Sequence, residues 1–145
     1  MSTMLKVSEA ASLALHTMRH LAENADSRLT AKGIASALHV SGAHLSKVLQ
    51  RLARAGLVKS VRGPKGGFTL GKDPGEITLL DVYELVEGPL AVSPCLLERP
   101  ICTDGGCMFG DLIETVNGLV AKRLAETALS DVASANGGND RNAIA

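Results

Sequence analysis

The sequence predicts a mainly α-helical fold that carries one small β-hairpin. Apolar residues recur with a helical period through most of the 145-residue chain. The period changes only after Gly56, where two short strand-like runs flank a glycine-rich turn. The composition is 46% hydrophobic but only 2% aromatic, so the core must be aliphatic, within one domain that has an appended element.

The first helix is predicted from Val7 to Asn24, where apolar residues recur at helical spacing. Thr30 is a suitable N-cap for a short helix that ends at Leu38, and Ser41 is a suitable N-cap for a third helix, which ends at Gly56. Two helices of this length joined by a tight turn are typical of helix-turn-helix proteins. The apolar stripe of the third helix is Leu45, Val48, Leu49 and Leu52.

The two strand-like runs extend from Leu57 to Val61 and from Phe68 to Leu70. The glycines of the turn between them permit the positive φ angles that a tight hairpin needs. A β-hairpin directly behind a helix-turn-helix forms a wing. Residues 1–75 are therefore predicted to be a winged helix-turn-helix DNA-binding domain.

The second half of the chain is predicted to have three parts. Residues 76–107 comprise a linking helix, which Thr78 begins, and a loop that holds all three cysteines. Residues 108–133 are predicted to form one long dimerisation helix, because their apolar stripe requires a partner. Residues 134–145 lack apolar periodicity and are predicted to be a disordered tail.

The charges are unevenly distributed, although the net charge is zero. Residues 1–75 hold eleven Lys/Arg and four Asp/Glu, a net +7, whereas residues 76–145 hold four and eleven, a net −7. No acidic residue stands between Asp26 and Asp73. This pattern predicts double-stranded DNA as the partner of the first half. The residues predicted to contact it are Lys32, Ser41, Ala43, His44, Lys47, Gln50, Arg51, Arg54, Arg62 and Lys65.

No apolar run reaches the roughly 18 residues needed to cross a bilayer, and the beginning of the chain lacks a signal-peptide pattern. An odd number of cysteines suits a reducing compartment better than a disulfide framework. These features predict a soluble cytoplasmic protein.

Cys95, Cys102 and Cys107 lie within thirteen residues of a chain that has no other cysteine. Three thiolates in one loop can hold a soft metal centre, because a thiolate binds iron strongly and neutralises its charge. The intervals of six and four residues differ from the CxxC pattern of zinc ribbons. Free thiols, a zinc site and a thiol redox role are the alternatives.

Two segments carry a family resemblance: Leu45 to Gly67, LSKVLQRLARAGLVKSVRGPKGG, and Ile77 to Leu90, ITLLDVYELVEGPL. They resemble the Rrf-type (IscR/NsrR/RirA-like) winged-helix transcriptional regulators. The resemblance implies a homodimer on a palindromic operator, with the C-terminal helices paired across a two-fold axis. It also implies an iron-sulfur cluster, 2Fe-2S or 4Fe-4S, bound by the cysteines of this sensor loop. The implied fourth ligand is His16 of the partner chain, with Glu9 as a weaker candidate. The alternatives are that a small exogenous thiol or water completes the site, and that His16 is a partly buried helix residue hydrogen-bonded to the neighbouring subunit.

The leading functional hypothesis is a DNA-binding transcriptional regulator, a repressor rather than an activator, whose cluster senses iron, redox state or nitric oxide. The first alternative is a cluster-free winged-helix regulator that senses through thiol oxidation or a small molecule. The second is a protein–protein module whose basic face binds an acidic protein. An enzyme is the least favoured class, because the sequence has no Ser/His/Asp arrangement, phosphate-binding loop or paired acids.

Overall fold

The computed structural model describes residues 7–90, 101–102 and 106–134, and it confirms a mainly helical fold with a two-stranded antiparallel hairpin. The elements are α1 (Glu9–Glu23), α2 (Ala31–Leu38), α3 (Gly42–Arg54), β1 (Val58–Val61), β2 (Gly67–Leu70), α4 (Leu79–Glu87), α5 (Leu112–Glu126) and α6 (Leu129–Ser134). No helix within these ranges is long and apolar enough to span a membrane.

The first four helices begin at residues suited to N-caps. The hydroxyl oxygens of Ser8, Thr30 and Ser41 each accept a hydrogen bond from the backbone N–H three residues later. Thr78 and Asp81 form a reciprocal capping box at the start of α4. These local hydrogen bonds satisfy backbone groups that a helix end would otherwise leave without a partner.

One aliphatic core joins α1, α2, α3, the hairpin, α4 and α6. The predicted apolar stripe of α3 lies in this core, and its four residues are buried. Burial of a Leu or Val side chain stabilises the fold by about 1.5–3 kcal/mol, so this stripe fixes which face of α3 remains on the surface. The largest fully buried residues include Met18, Leu21, Ile34, Leu45, Leu52, Ile77 and Leu129.

Thr17 is a polar residue within this core. Its side chain is fully buried, and its Oγ1 has no hydrogen-bond partner in the described part of the chain. A buried hydroxyl without a partner costs about 1–3 kcal/mol. We therefore expect Thr17→Val, which keeps the shape, to raise the free energy of unfolding by about 1 kcal/mol in urea titrations. Thr17→Ala is the control, because it leaves a cavity and should gain less; equal stability of Thr17→Val and the unchanged protein would contradict the prediction.

The wing has one more strand than the sequence predicts. Strands β1 and β2 pair with Val58 opposite Leu70. In addition, Leu29 forms two backbone hydrogen bonds with Phe68, with N···O distances of 3.1 and 2.7 Å. The segment before α2 thus adds a third, one-residue strand to the hairpin.

The prediction of a single helix over residues 108–133 is wrong. Residues 108–111 form a turn, α5 begins only at Leu112, and the helix ends at Glu126. Ser134, predicted to begin the disordered tail, is the last residue of α6, and residues 135–145 lie outside the described part.

Backbone hydrogen bonds to the start of α4 explain this break. The N–H of Leu79 donates to Thr127 O at 3.0 Å, and the N–H of Leu129 donates to Ile77 O at 2.8 Å. The Asp131 carboxylate accepts a hydrogen bond from Ala128 N at 2.9 Å, which supports the beginning of α6. Since Leu129 is fully buried, the chain gains core contacts by turning here rather than by continuing α5.

Candidate DNA-binding surface and metal-ligand residues

The exposed side of α3 carries most of the residues predicted to contact DNA. Ala43, Lys47, Gln50 and Arg54 recur at intervals of three and four residues, so they share one helix face, and all are exposed. The face is held outward because the opposite stripe is buried in the core. Ser41 is also exposed; its hydroxyl oxygen accepts a hydrogen bond from His44 N at 3.2 Å.

His44 differs from the other residues of α3 that are predicted to contact DNA because it is half-buried. It lines a groove of about 340 Å³ between α1 and the turn that joins α2 to α3. Glu9, Ser12 and His16 of α1 line the same groove. The structure therefore brings the beginning of α3 next to Glu9 and His16 of the same chain, the two positions that the resemblance implies as ligands from a partner chain.

Arg51 is exposed, but it has an internal partner that the sequence did not predict. Its Nη2 atom lies 3.4 Å from Val86 O and 3.5 Å from Leu85 O, in the last turn of α4. A cation is attracted to the C-terminal end of a helix, where backbone carbonyls lack helical partners. Arg51 therefore connects α3 to α4, the helix that precedes the cysteine-bearing segment in the sequence.

A second contact joins α4 to α1. The Ser8 hydroxyl donates a hydrogen bond to the Glu87 carboxylate, while the same oxygen caps α1. Burial, and then the negative charge of Glu87, raise the pKa of Tyr83 on the preceding turn. The C-terminal end of α4 is thus fixed to both α1 and α3.

Lys32, Arg62 and Lys65 are exposed, the first on α2 and the other two in the turn of the wing. Arg28, which was not among the predicted contact residues, donates from Nη1 to Lys65 O at 3.2 Å. Its position inside the acid-free stretch was the available sequence signal, because that stretch extends from Asp26 to Asp73.

The structure describes two of the three cysteines. Cys102 is exposed, Cys107 is half-buried and both are free thiols, whereas Cys95 lies outside the described residues. The Cys107 Sγ accepts a hydrogen bond from Phe109 N at 3.4 Å. Within residues 7–90, 101–102 and 106–134, no three His, Cys, Asp or Glu side chains are grouped to hold a metal ion.

His16 is exposed on α1, and its Nδ1 lies 2.7 Å from Ser12 O. A carbonyl oxygen only accepts, so Nδ1 must carry the proton of this hydrogen bond. In the neutral ring the lone pair is then on Nε2, which is the arrangement of many metal-bound histidines. Glu9 is exposed on the same helix, and an ionised carboxylate accepts hydrogen bonds but donates none.

Apolar side chains are exposed on α5. Leu112 is 50% exposed and Leu119 is 64% exposed, and their separation of seven residues places them on one side of the helix. An apolar hollow of about 290 Å³, lined by Leu15, Tyr83 and Leu124 among others, lies beside Leu119. Exposed leucines beside an apolar cavity are typical of an interaction face.

The fold and the exposed basic face are those of a winged-helix DNA-binding transcriptional regulator. The family model Rrf2, described as an iron-dependent transcriptional regulator, matches residues 7–135. The chain belongs to the Rrf2 family. Its fold and relatives are those of transcriptional regulators and not of enzymes.

Individual relatives differ in how much of the chain they match. CymR of Bacillus subtilis is 32% identical over 132 residues, 90% of this chain and 91% of that protein. The solved structure of CymR, the global cysteine regulator of B. subtilis, is similar with a TM-score of 0.74 at 31% identity, covering 90% of this chain and 98% of that one. The structure of T. potens IscR has a TM-score of 0.70 at 25% identity, with 90% and 87% covered.

The similarity to another IscR is confined to part of the chain. IscR of Cronobacter sakazakii is 39% identical over 72 residues, which is 50% of this chain and 41% of that protein. Regulators named CymR and IscR therefore both resemble this chain, and the family alone leaves the sensed signal open.

Proposed function

We propose that this chain is a cytoplasmic transcriptional repressor that binds a palindromic operator as a homodimer, under the control of an iron-sulfur cluster. The observation that carries DNA binding is the exposed face of α3, which presents polar and cationic side chains opposite a fully buried stripe. No acidic residue between Asp26 and Asp73 opposes it. Such a face attracts phosphates and reads base edges at once.

In this proposal the beginning of α3 enters the major groove, where Ser41, Ala43, His44 and Lys47 meet base edges. Gln50, Arg51 and Arg54 lie further along the helix and meet the backbone, as does Lys32. The wing turn, with Arg62 and Lys65, approaches the minor groove. The exposure of these cations supports the assignment.

The cluster, 2Fe-2S or 4Fe-4S, would be held by Cys95, Cys102 and Cys107 and by the partner subunit's His16, with Glu9 as the weaker candidate. Two observations fit this ligand set. The Cys107 sulfur accepts a hydrogen bond from Phe109 N. Nδ1 of His16 donates to Ser12 O, so Nε2 has the lone pair in the neutral ring and can bind a metal. When bound, such a cluster supplies a charge and a ligand set that change with iron supply, oxidation or nitric oxide.

The protein's own contacts offer a route from the sensor loop to the DNA face. Helix α4 precedes the loop, and its last turn contacts Arg51 of α3 and Ser8 of α1. A shift of that turn would move α3. A tenfold change in operator affinity requires only about 1.4 kcal/mol, which a few such contacts can provide.

Anaerobic purification tests the proposal. We expect a coloured protein that contains iron and sulfide, in which Cys102→Ala and Cys107→Ala abolish the visible absorption. His16→Ala should alter the spectrum, whereas His20→Ala, one turn further along α1, should not. Operator affinity should differ at least about tenfold between cluster-loaded and cluster-free protein. If the anaerobic sample were colourless but bound the operator, the cluster proposal would be contradicted and the DNA-binding proposal would stand.

A cluster-free regulator that senses through thiol oxidation is the second candidate. It is favoured by the exposed, free Cys102 and by the nearly full-length similarity to CymR. In the same experiment, metal-free protein would then lose or gain operator affinity on peroxide treatment and recover it with dithiothreitol. Cys102→Ser should abolish that response under this second proposal.

A further inference from the structure

We propose that Arg28 is a positioning residue for DNA binding, which holds the turn of the wing so that Arg62 reaches the duplex. The inference rests on the proposed role of the wing in DNA binding. It follows from a contact between two segments that are far apart in sequence. The guanidinium of Arg28 donates to the backbone carbonyl of Lys65, at the tip of the hairpin.

The backbone brings Arg28 to the tip. The reciprocal hydrogen bonds between Leu29 and Phe68 hold the segment before α2 against β2. A Cβ on Gly67 would lie 2.8 Å from Leu29 O, so only glycine permits this close approach. The turn itself has a hydrogen bond from Gly66 N to Gly63 O at 2.8 Å. Arg28 adds a side-chain anchor from outside the hairpin.

The charges indicate that this anchor serves binding more than folding. Arg28, Arg62 and Lys65 are all exposed cations, and residues 27–72 contain no acidic residue. Like charges gathered at one tip repel one another, and an anion such as a DNA phosphate relieves that repulsion. Exposed ion pairs and polar contacts contribute little to stability, so the stability of the fold should depend little on Arg28.

A double-mutant cycle on the full-length protein separates positioning from an independent contact. The probe is a labelled duplex that carries the operator, and the affinity is measured by fluorescence anisotropy at several salt concentrations. We expect Arg28→Ala and Arg62→Ala each to weaken binding about tenfold and to reduce the salt slope by about 1. In the Arg62→Ala background, Arg28→Ala should cost less than about twofold.

Two controls accompany the cycle. Lys72→Ala removes an exposed cation of the same stretch away from the turn and should change affinity less than twofold. The thermal midpoint of Arg28→Ala should match that of the unchanged protein, while its Gly66 amide exchanges hydrogen faster. If Arg28→Ala weakened DNA binding by the same factor with and without Arg62, the positioning role would be overturned, while the DNA contact of the wing would stand. Absence of any loss from Arg62→Ala would overturn the wing's DNA contact, and the Arg28 inference with it.

Discussion

Replacing Gly71 with alanine should lower the free energy of unfolding by about 3 kcal/mol, near the upper end of ordinary point substitutions. A Cβ at this position would lie 2.1 Å from the backbone oxygen of Gly56. Neither side can move easily. Gly71 N donates to Leu57 O at 2.8 Å, and Gly56 has a φ of +78° where α3 ends. The clash therefore forces apart the base of the wing and the end of α3.

Urea unfolding, followed by circular dichroism, measures this effect through the shift of the midpoint. Gly42→Ala is the matched control, because a Cβ at the first residue of α3 meets nothing within 4 Å. Alanine is favoured over glycine in a helix by up to about 1 kcal/mol, so this control should be neutral or stabilised. Midpoints that agree for the two variants would show that the hairpin base tolerates a wider separation.

The DNA-binding head was predictable because its signals are local. Ser41 and Gly56 delimit α3, and a period of three and four residues identifies its buried stripe. The hairpin follows from two short apolar runs and the glycines between them. Each of these features depends on neighbouring residues, so the sequence contains the information without knowledge of the tertiary fold.

The remaining features depend on contacts between distant segments. The end of α5 is set by hydrogen bonds from residues 127–129 to residues 77–79, which a continuous apolar pattern conceals. The partners of Arg28 and Arg51 are backbone carbonyls, 37 and 34–35 residues away, and a carbonyl has no sequence signal. The cysteine spacing predicts a soft-metal site, but Cys95 lies outside the described residues and the relative placement of the ligands stays a prediction.

Leu119→Glu should convert the proposed dimer into a monomer and weaken operator binding at least about 100-fold. Burial of one leucine stabilises an interface by about 1.5–3 kcal/mol. A dimer with a two-fold axis buries two copies of Leu119, so the effect is doubled. Glutamate also introduces two like charges that would have to be desolvated. Because Leu119 is 64% exposed in the single chain, the substitution should leave the fold of each subunit intact.

Sedimentation velocity reports the oligomeric state, and anisotropy with full and half operators reports the loss of bivalent binding. A monomer should bind a full operator no more tightly than a half-site. Glu114→Lys is the control, since Glu114 is exposed on α5 but two residues from Leu112, on the other side of the helix. A Leu119→Glu protein that remains dimeric would exclude the part of α5 around Leu119 as the interface. If Leu112→Glu then gave monomers, the interface would lie nearer the beginning of α5, beside the cysteine-bearing segment.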